Sequence, residues 1–291
     1  MIQSMTGFGK ASAELVNRKI TVEIKSLNSK QLDLSTRIPS IYKDKEIGIR
    51  NLLSKKLERG KIDFLIYIEN LGKDTTAQIN QNILEGYYNQ IMDSSSKLGI
   101  PAPQDWFQIL LKLPDAMKHE VHEVDEEEWS QVEKIIDEAI NQIIIFRQQE
   151  GKMLYELFEN KITKISQLIT DIEPFEAERI DKVKQKIIEA LQKIENFDYD
   201  QNRFEQEMIY YIEKLDINEE KSRLRNHLNY FIETMSNAAI GEGKKLGFIT
   251  QEIGREINTM GSKSNHAEMQ RIVVQMKDEL EQIKEQVLNV L

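Results

Sequence analysis

The chain has 291 residues, of which 40% are hydrophobic and 30% are charged, a composition typical of a globular protein long enough for two domains. It has no cysteine, which excludes disulfides and thiolate zinc sites, and no run of about 18 apolar residues, so no membrane-spanning helix is predicted. The net charge of -10 argues against uniform attraction to nucleic acid, but residues 1–70 carry thirteen Lys and Arg against eight Asp and Glu, a local net of +5.

The first 80 residues predict a small, basic α+β domain. The chain starts without a basic segment followed by an apolar one, so we expect a cytoplasmic location. Alternation of polar and apolar residues predicts strands, and a helical period separates the last two of them. The strands are expected at 12–16, 19–25, 31–36 and 62–69, and the helix at 41–57.

This basic domain is the predicted RNA-binding part of the chain, beside an otherwise acidic protein. Its candidate contacts are Asn28, Lys30, Arg37, Arg59 and Lys61. The alternative for such residues is the commoner one, in which they are solvated charges that maintain solubility. The sequence does not decide between the two.

Residues 81–200 predict a helical body with long helices that mediate oligomerisation. A short helix is expected at 83–98, before the helix-breaking sequence at 99–103. Asp125 and the acidic residues after it predict the start of a long helix. We expect it to weaken at Gly151 and to end near residue 170, with Pro174 separating it from a second helix at 175–195.

Residues 201–291 predict a C-terminal helical domain, with helices near 202–213, 219–240, 246–258 and 266–290. Five of the thirteen glycines lie within 241–261, which marks this stretch as unusual for a purely structural helix. A helix there places four polar residues on one face and five apolar residues on the other. The polar face has Glu252, Arg255, Glu256 and Thr259, and the apolar face has Phe248, Ile249, Ile253, Ile257 and Met260.

The same domain contains candidate groups for phosphate chemistry. Oxygen donors and an imidazole suit Mg²⁺ or Mn²⁺, and the candidate ligands are Asp216, Glu220, His227, Glu252 and Glu256. The candidate catalytic residues are Glu252, Glu256, Arg255, Arg223 and Lys263, with Lys244 and Lys245 as further RNA contacts. Ordinary solvated ion pairs and a structural histidine are the alternative for all of these. No phosphate-binding loop or dinucleotide fingerprint occurs, so no nucleotide cofactor is expected.

Several short motifs resemble the YicC/YloC family of bacterial proteins, and the last of them is the most specific. Lys244 stands where that family has arginine, and Gly254 where it usually has a larger apolar residue. The motifs are Met5 to Lys10, residues 23–28, Arg59-Gly60-Lys61, Phe146-Arg147 with Glu150-Gly151, residues 216–227 and residues 251–263. The resemblance implies a cytoplasmic endoribonuclease supported by Mn²⁺ or Mg²⁺, with six subunits.

The sequence therefore predicts a metal-dependent endoribonuclease that cleaves RNA internally, by hydrolysis or by attack of the 2′-hydroxyl. Without a metal, His227 is the candidate general base. The alternative is a non-catalytic RNA-binding or scaffold protein in which the same charges form an ion-pair network. The RNA substrate, the product ends and the number of metal ions are not encoded in any recognisable pattern.

Overall fold

The computed structural model describes residues 2–15, 18–71, 77–119, 125–193, 200–237 and 241–291. Its N-terminal part contains a four-stranded sheet in the order β1-β2-β4-β3, in which only the β3–β4 pair is parallel. A parallel pair needs a crossover, which here is a 3-10 helix (Ser40–Lys45) followed by helix α1. The strands are β1 (Gly7–Glu14), β2 (Arg18–Leu27), β3 (Leu32–Arg37) and β4 (Gly60–Asn70), and α1 is Glu46–Leu57.

Alternate side chains of the sheet are buried, as the sequence pattern predicts. Val22 and Ile24 of β2 and Phe64 of β4 pack against α1 and the first half of helix α4 (Glu126–Gln192). The opposite face of the sheet is open and carries charged side chains, Lys25 and Lys61 among them. The predicted α+β fold is confirmed.

A small unit follows the sheet in the chain. It consists of a two-stranded ribbon of β5 (Ala77–Ile79) and β6 (Met117–His119) with helices α2 (Gln81–Leu98) and α3 (Trp106–Leu110) between them. The side chain of Asn80 caps the start of α2, and Gly99 ends it in the left-handed conformation. The predicted helix and its break are both present.

Helix α4 is 67 residues long, or about 100 Å at 1.5 Å per residue. The prediction that it ends near residue 170 is wrong, because the helix continues through Pro174. Proline lacks the N–H that would bond to the carbonyl of Thr170. Both residues are exposed, so water can satisfy that carbonyl and the helix is not forced to stop.

The second half of α4 packs with three C-terminal helices around a separate core. Phe158 of α4 and Phe231 of α6 meet edge to face in this core, with their ring centroids 5.7 Å apart. The three core helices are α6 (Asn218–Ser236), α7 (Gly243–Lys263) and α8 (Ala267–Val287), and α5 (Gln201–Leu215) precedes them in the chain. Helix α4 thus contributes to both cores, while the domain boundaries near 80 and 200 stay predictions. None of the described helices is long and apolar enough to cross a membrane.

Helix α7 differs from its prediction in two ways. It extends to Lys263 instead of ending near residue 258, because Met260 and Gly261 are buried against the neighbouring helices. Phe248, expected on the packed face, is 66% exposed. The apolar stripe that packs is narrower than predicted and centres on Ile249, Ile253 and Ile257. Residues 238–240, the predicted end of α6, lie outside the described residues.

The two cores meet where both described ends of the chain pair with each other. Ser4 forms an antiparallel bridge with Val290, and the N–H of Leu291 donates to the carbonyl of Gln3 at 2.9 Å. Close by, the guanidinium of buried Arg147 in α4 donates to four acceptors. These are the carbonyls of Leu57, Arg59 and Met5 and the hydroxyl of Ser26, at 2.7 to 3.4 Å. Burial lowers the pKa of Arg147 to about 10.

Candidate functional site

The predicted polar face of α7 is not uniformly exposed. Glu252 and Arg255 form an ion pair at 3.0 Å near the surface, and the hydroxyl of Thr259 donates to the carbonyl of Arg255. Glu256, expected on the same face, is buried. Its carboxylate has no hydrogen-bond or ion-pair partner among the described residues. The two glutamates therefore have different environments: Glu252 is neutralised by Arg255 near the surface, and Glu256 is buried.

The end of α7 meets the start of α6 through Lys263. Its ammonium donates to a carboxylate oxygen of Glu220 at 2.8 Å and to the backbone carbonyl of Asp216 at 2.9 Å. The Glu220 side chain is 8% exposed, and its second oxygen has no partner within the described parts of the chain. Lys263 keeps 31% of its side chain exposed, so this buried carboxylate holds a cation that still reaches solvent.

The side chains of the other predicted site residues in and just before α6 make different contacts. Asp216 is exposed, and its carboxylate accepts from the N–H of Asn218, as a residue before a helix commonly does. Arg223 pairs with Glu219 at the surface. His227 is half-buried, two turns after Glu220. Among the described residues, no three His, Asp or Glu side chains lie close enough together to hold a metal ion.

One face of α4, which the sequence did not single out, completes the surroundings of Lys263. Phe175, Arg179 and Lys182 follow one another at i, i+4 and i+7, so they share that face. Arg179 donates to the carbonyl of Lys263 at 3.2 Å, and Phe175 stacks on the ring of His266, 5.4 Å between centroids. In a 67-residue helix with many charges, nothing in the sequence distinguishes these three residues from their neighbours.

His266 anchors the turn between α7 and α8. Its Nε2 lies 2.9 Å from the ammonium of Lys182, which has only donors, so Nε2 must accept and the ring proton sits on Nδ1. The side chain is 4% exposed, and Nδ1 has no partner within the part of the chain that the structure describes. Lys182 also pairs with Glu178 and lowers the pKa of that carboxyl. A histidine that directly follows the Gly-Ser-Lys-Ser-Asn sequence was the only available signal for this contact.

The predicted RNA contacts divide into two kinds. Lys30, Arg37 and Lys61 are exposed on the sheet domain. Asn28 and Arg59 instead have structural partners: Asn28 donates to the carbonyl of Leu288 at 2.6 Å, and Arg59 donates to the carbonyl of Ser29 at 3.0 Å. A phosphate contact by either would have to coexist with these bonds.

Lys244 and Lys245 follow Gly243 at the start of α7, and the backbone of Gly243 packs directly on Val290. Lys245 lies over the ring of Tyr230 of α6, 5.1 Å from its centroid. A hydrogen bond with Tyr230, together with Glu242, raises the pKa of Lys245.

Comparisons with known proteins agree with this architecture. A family model described as the N-terminal region of YicC-like endoribonucleases matches residues 2–156, and the model of their C-terminal region matches residues 172–291. The chain is 31% identical over 302 aligned residues to a Clostridioides difficile protein named "Probable endoribonuclease YicC", with both chains covered in full. It is 28% identical over 302 residues to a Haemophilus influenzae protein of the same name, with 99% of each chain covered.

Proposed function

The chain belongs to the YicC-like endoribonuclease family, and on this premise we propose that it cleaves phosphodiester bonds within RNA. The observation that supports the proposal most directly is the Lys263–Glu220 pair in the segment where the sequence resemblance is most specific. It presents an oriented, partly exposed cation beside a buried carboxylate. Such a cation can bind a phosphate and stabilise the charge that develops during its cleavage.

The proposed reaction requires an oxygen nucleophile, either water or the ribose 2′-hydroxyl, to attack phosphorus while the bond to the leaving oxygen breaks. Negative charge then grows on the phosphate oxygens and the leaving oxygen, and Lys263 offsets it. Arg223 and Arg255 are further candidates for this role, since both lie at the surface of the same pair of helices. His227 is the candidate general base on α6.

The requirement for Mn²⁺ or Mg²⁺ that the sequence resemblance implies stays a proposal, and the donor set of a single chain does not fit it well. Glu220 and Glu252 are already paired with Lys263 and Arg255, and the described residues gather no set of three ligands. We therefore derive no step through a metal ion. Cleavage in excess chelator that equals cleavage in Mn²⁺ would exclude the metal requirement, whereas chelator-sensitive cleavage restored by Mn²⁺ would support it.

Glu252 and Glu256 stay proposed catalytic residues. Each change to glutamine keeps the size of the side chain and removes its charge, so removal of a catalytic charge should lower turnover about a hundredfold. Single-turnover cleavage with saturating enzyme measures this directly. Wild-type rates in both variants would remove them from the site, and unfolding of either variant would identify a structural charge instead.

The basic residues of the sheet domain and of α7 are proposed to bind the RNA backbone. Replacing Lys30, Lys61 or Lys244 by Met should weaken binding and reduce the salt dependence of log K by a slope of about 0.7 for each phosphate of a single strand that is no longer neutralised. Filter binding across a salt series is the measurement. An unchanged slope would mean that these are solvated charges.

The decisive experiment compares Lys263→Met with Lys277→Met, a matched change at an exposed lysine of α8. We expect Lys263→Met to lower the rate of RNA cleavage about a hundredfold or more, the scale expected when an electrostatic interaction with a transition state is removed, while Lys277→Met cleaves like the wild type. A purified wild-type protein that binds RNA but cleaves it under no condition would instead favour the non-catalytic scaffold.

We also propose that the protein assembles with copies of itself, six by the family resemblance. The unit formed by residues 77–119 supports self-association because, within its described residues, only Leu110 and Ala116 are buried apolar side chains. Its exposed apolar side chains are Ile79, Tyr88, Met92, Leu98, Ile100, Phe107, Ile109 and Met117. Light scattering should give a multiple of 34.0 kDa, and a monomer at micromolar concentration would contradict the proposal. A cytoplasmic location stays a prediction.

A further inference from the structure

Lys263 is held from two sides by different helices. Glu220 of helix α6 and Asp216, just before that helix, supply two acceptors for its ammonium, and helix α4 supplies one donor for its backbone carbonyl, from Arg179. An ammonium has three donors, so these contacts leave one N–H for a ligand. The two helices thereby fix both the base and the tip of the lysine side chain.

The environment of Arg179 is costly for a residue with only a packing role. The residue is 3% exposed, burial lowers the pKa of its guanidinium, and its Nε has no partner among the described residues. Burying a guanidinium has a desolvation penalty that an apolar side chain of similar volume would avoid. Its guanidinium donates to the carbonyl of Lys263, and the charges of Glu176 and Asp216 offset part of this penalty.

The residues on either side of Arg179 in α4 both contact His266, in the connection between α7 and α8. One turn before it in α4, Phe175 stacks on His266, and nearly one turn after it Lys182 reaches the ring nitrogen of that histidine. The end of α7 is therefore clamped along three consecutive positions of one helical face. A clamp of this kind limits the positions that the Lys263 ammonium can take.

We propose that Arg179 is a positioning residue for Lys263, which it orients toward a phosphate of bound RNA. The inference rests on the proposed ribonuclease function and adds to it a residue from the long helix. Since Arg179 acts through Lys263, its removal should lower the rate of the chemical step and leave the affinity for RNA nearly unchanged. A residue that only supports the fold would not depend on Lys263 in this way.

The test is a double-mutant cycle with Arg179→Met, Lys263→Met and the combined variant, measured by single-turnover cleavage of an RNA hairpin. We expect Arg179→Met to lower the rate about tenfold, the smaller end of the range for residues that orient a catalytic group. In the Lys263→Met background the same change should have no further effect. KM should stay within about twofold of the wild type, since Arg179 does not itself touch the RNA.

Two further variants keep the test decisive if Arg179→Met folds poorly. Arg179→Lys retains a donor for the carbonyl and should recover part of the lost rate, and Arg271→Met removes an exposed arginine of α8 as a matched control. Urea unfolding of every variant separates lost activity from lost structure. Equal, additive losses in both backgrounds, or a raised KM with unchanged kcat, would overturn the role of Arg179 while leaving the ribonuclease function intact. A wild-type protein that does not cleave RNA would overturn both.

Discussion

Helix α4 buries two arginines whose surroundings differ sharply. Arg147 lies at the junction of the two cores, where four acceptors from three separate segments receive its donors. Arg179 lies 32 residues further along the same helix and, among the described residues, donates to one acceptor, the carbonyl of Lys263. Both guanidinium groups are almost fully buried, and burial lowers the pKa of each.

The difference indicates two uses of the same side chain. The Nε of each arginine has no partner among the described residues, so the two differ in what their terminal nitrogens bind. A buried charge that donates to four acceptors contributes to the uniqueness of the fold, because no apolar residue could satisfy those acceptors. Arg179 donates to the backbone of the residue that carries the exposed ammonium and otherwise interacts with the charges of Glu176 and Asp216. Arg147 therefore belongs to the architecture of the junction, and Arg179 stays the proposed positioning residue for Lys263.

Arg147→Met should have the largest effect on stability. It leaves the carbonyls of Leu57 and Arg59 and the hydroxyl of Ser26 without their donor, so we expect a loss of roughly 3–5 kcal/mol in the free energy of unfolding. Urea denaturation measures it, with Arg271→Met as the exposed control. If Arg147→Met instead lost RNA cleavage without losing stability, Arg147 would belong to the candidate functional site and not to the architecture.

Two helical glycines should respond in opposite directions to the same substitution. A Cβ at Gly151 would lie 2.2 Å from the carbonyl oxygen of Ile2, so Gly151→Ala must displace backbone at the junction and should destabilise by about 1–3 kcal/mol. A Cβ at Gly254 would meet the side chain of Leu280 at 3.4 Å, an ordinary contact. Gly254→Ala should therefore stabilise the protein by up to about 1 kcal/mol through helix propensity.

Thermal and urea unfolding of the two alanine variants make this a matched pair. If both variants change the free energy of unfolding in the same direction, either the junction around Ile2 can move or α7 needs flexibility at Gly254. RNA cleavage by Gly254→Ala then decides between those explanations. A more stable but slower enzyme would indicate that the glycine at this position serves the reaction.

The smallest effect is expected for Glu46, a carboxylate near the surface of the sheet domain that binds three neighbouring side chains. Hydrogen bonds from Lys43, Thr36 and Arg50 lower the pKa of Glu46 from 4.5 to about 2. A carboxyl with a lowered folded-state pKa contributes stability above its unfolded pKa, and that stability is lost as the pH falls from about 4.5 towards 2.

Glu46→Gln should consequently unfold at slightly lower urea than the wild type at pH 7, and the difference should shrink below about pH 4.5. Because these groups face solvent, added salt should weaken the effect as well. Urea midpoints measured between about pH 2.5 and 7 test this. A difference that does not change with pH would mean that the glutamine alters packing and not charge.

The sequence predicted the sheet domain well because one face of each strand is buried. Apolar residues such as Val22, Ile24 and Phe64 therefore alternate with polar ones, and this period of two is visible in the sequence. It failed at Pro174, where a local rule predicts a helix end and the packing of Phe158 and Ile172 on the C-terminal helices outweighs it. The same tertiary packing extends α7 to Lys263, since Met260 is buried.

Prediction of the site was limited for a similar reason. Motif spacing selected Lys263 and Glu220 as candidates, because each belongs to a short stretch with unusual composition, and the structure pairs them. It could not identify Arg179 or His266, whose importance depends on contacts across more than 80 residues of sequence. Spacing within one helix also placed Glu252 and Glu256 together, although only a knowledge of the neighbouring helices shows that one is buried and the other paired at the surface.

The unbroken length of α4 sets a distance that a substrate would have to cover. Arg147 contacts the carbonyl of Arg59, two residues before Lys61, whereas Arg179 contacts Lys263, and the two arginines are separated by about 48 Å along the helix at 1.5 Å per residue. An RNA that contacts both Lys61 and Lys263 of one chain would have to extend along a large part of that length, so the length of α4 would limit which RNAs reach both lysines. Cleavage rates measured on hairpins of increasing stem length should then rise abruptly at a threshold length and not gradually.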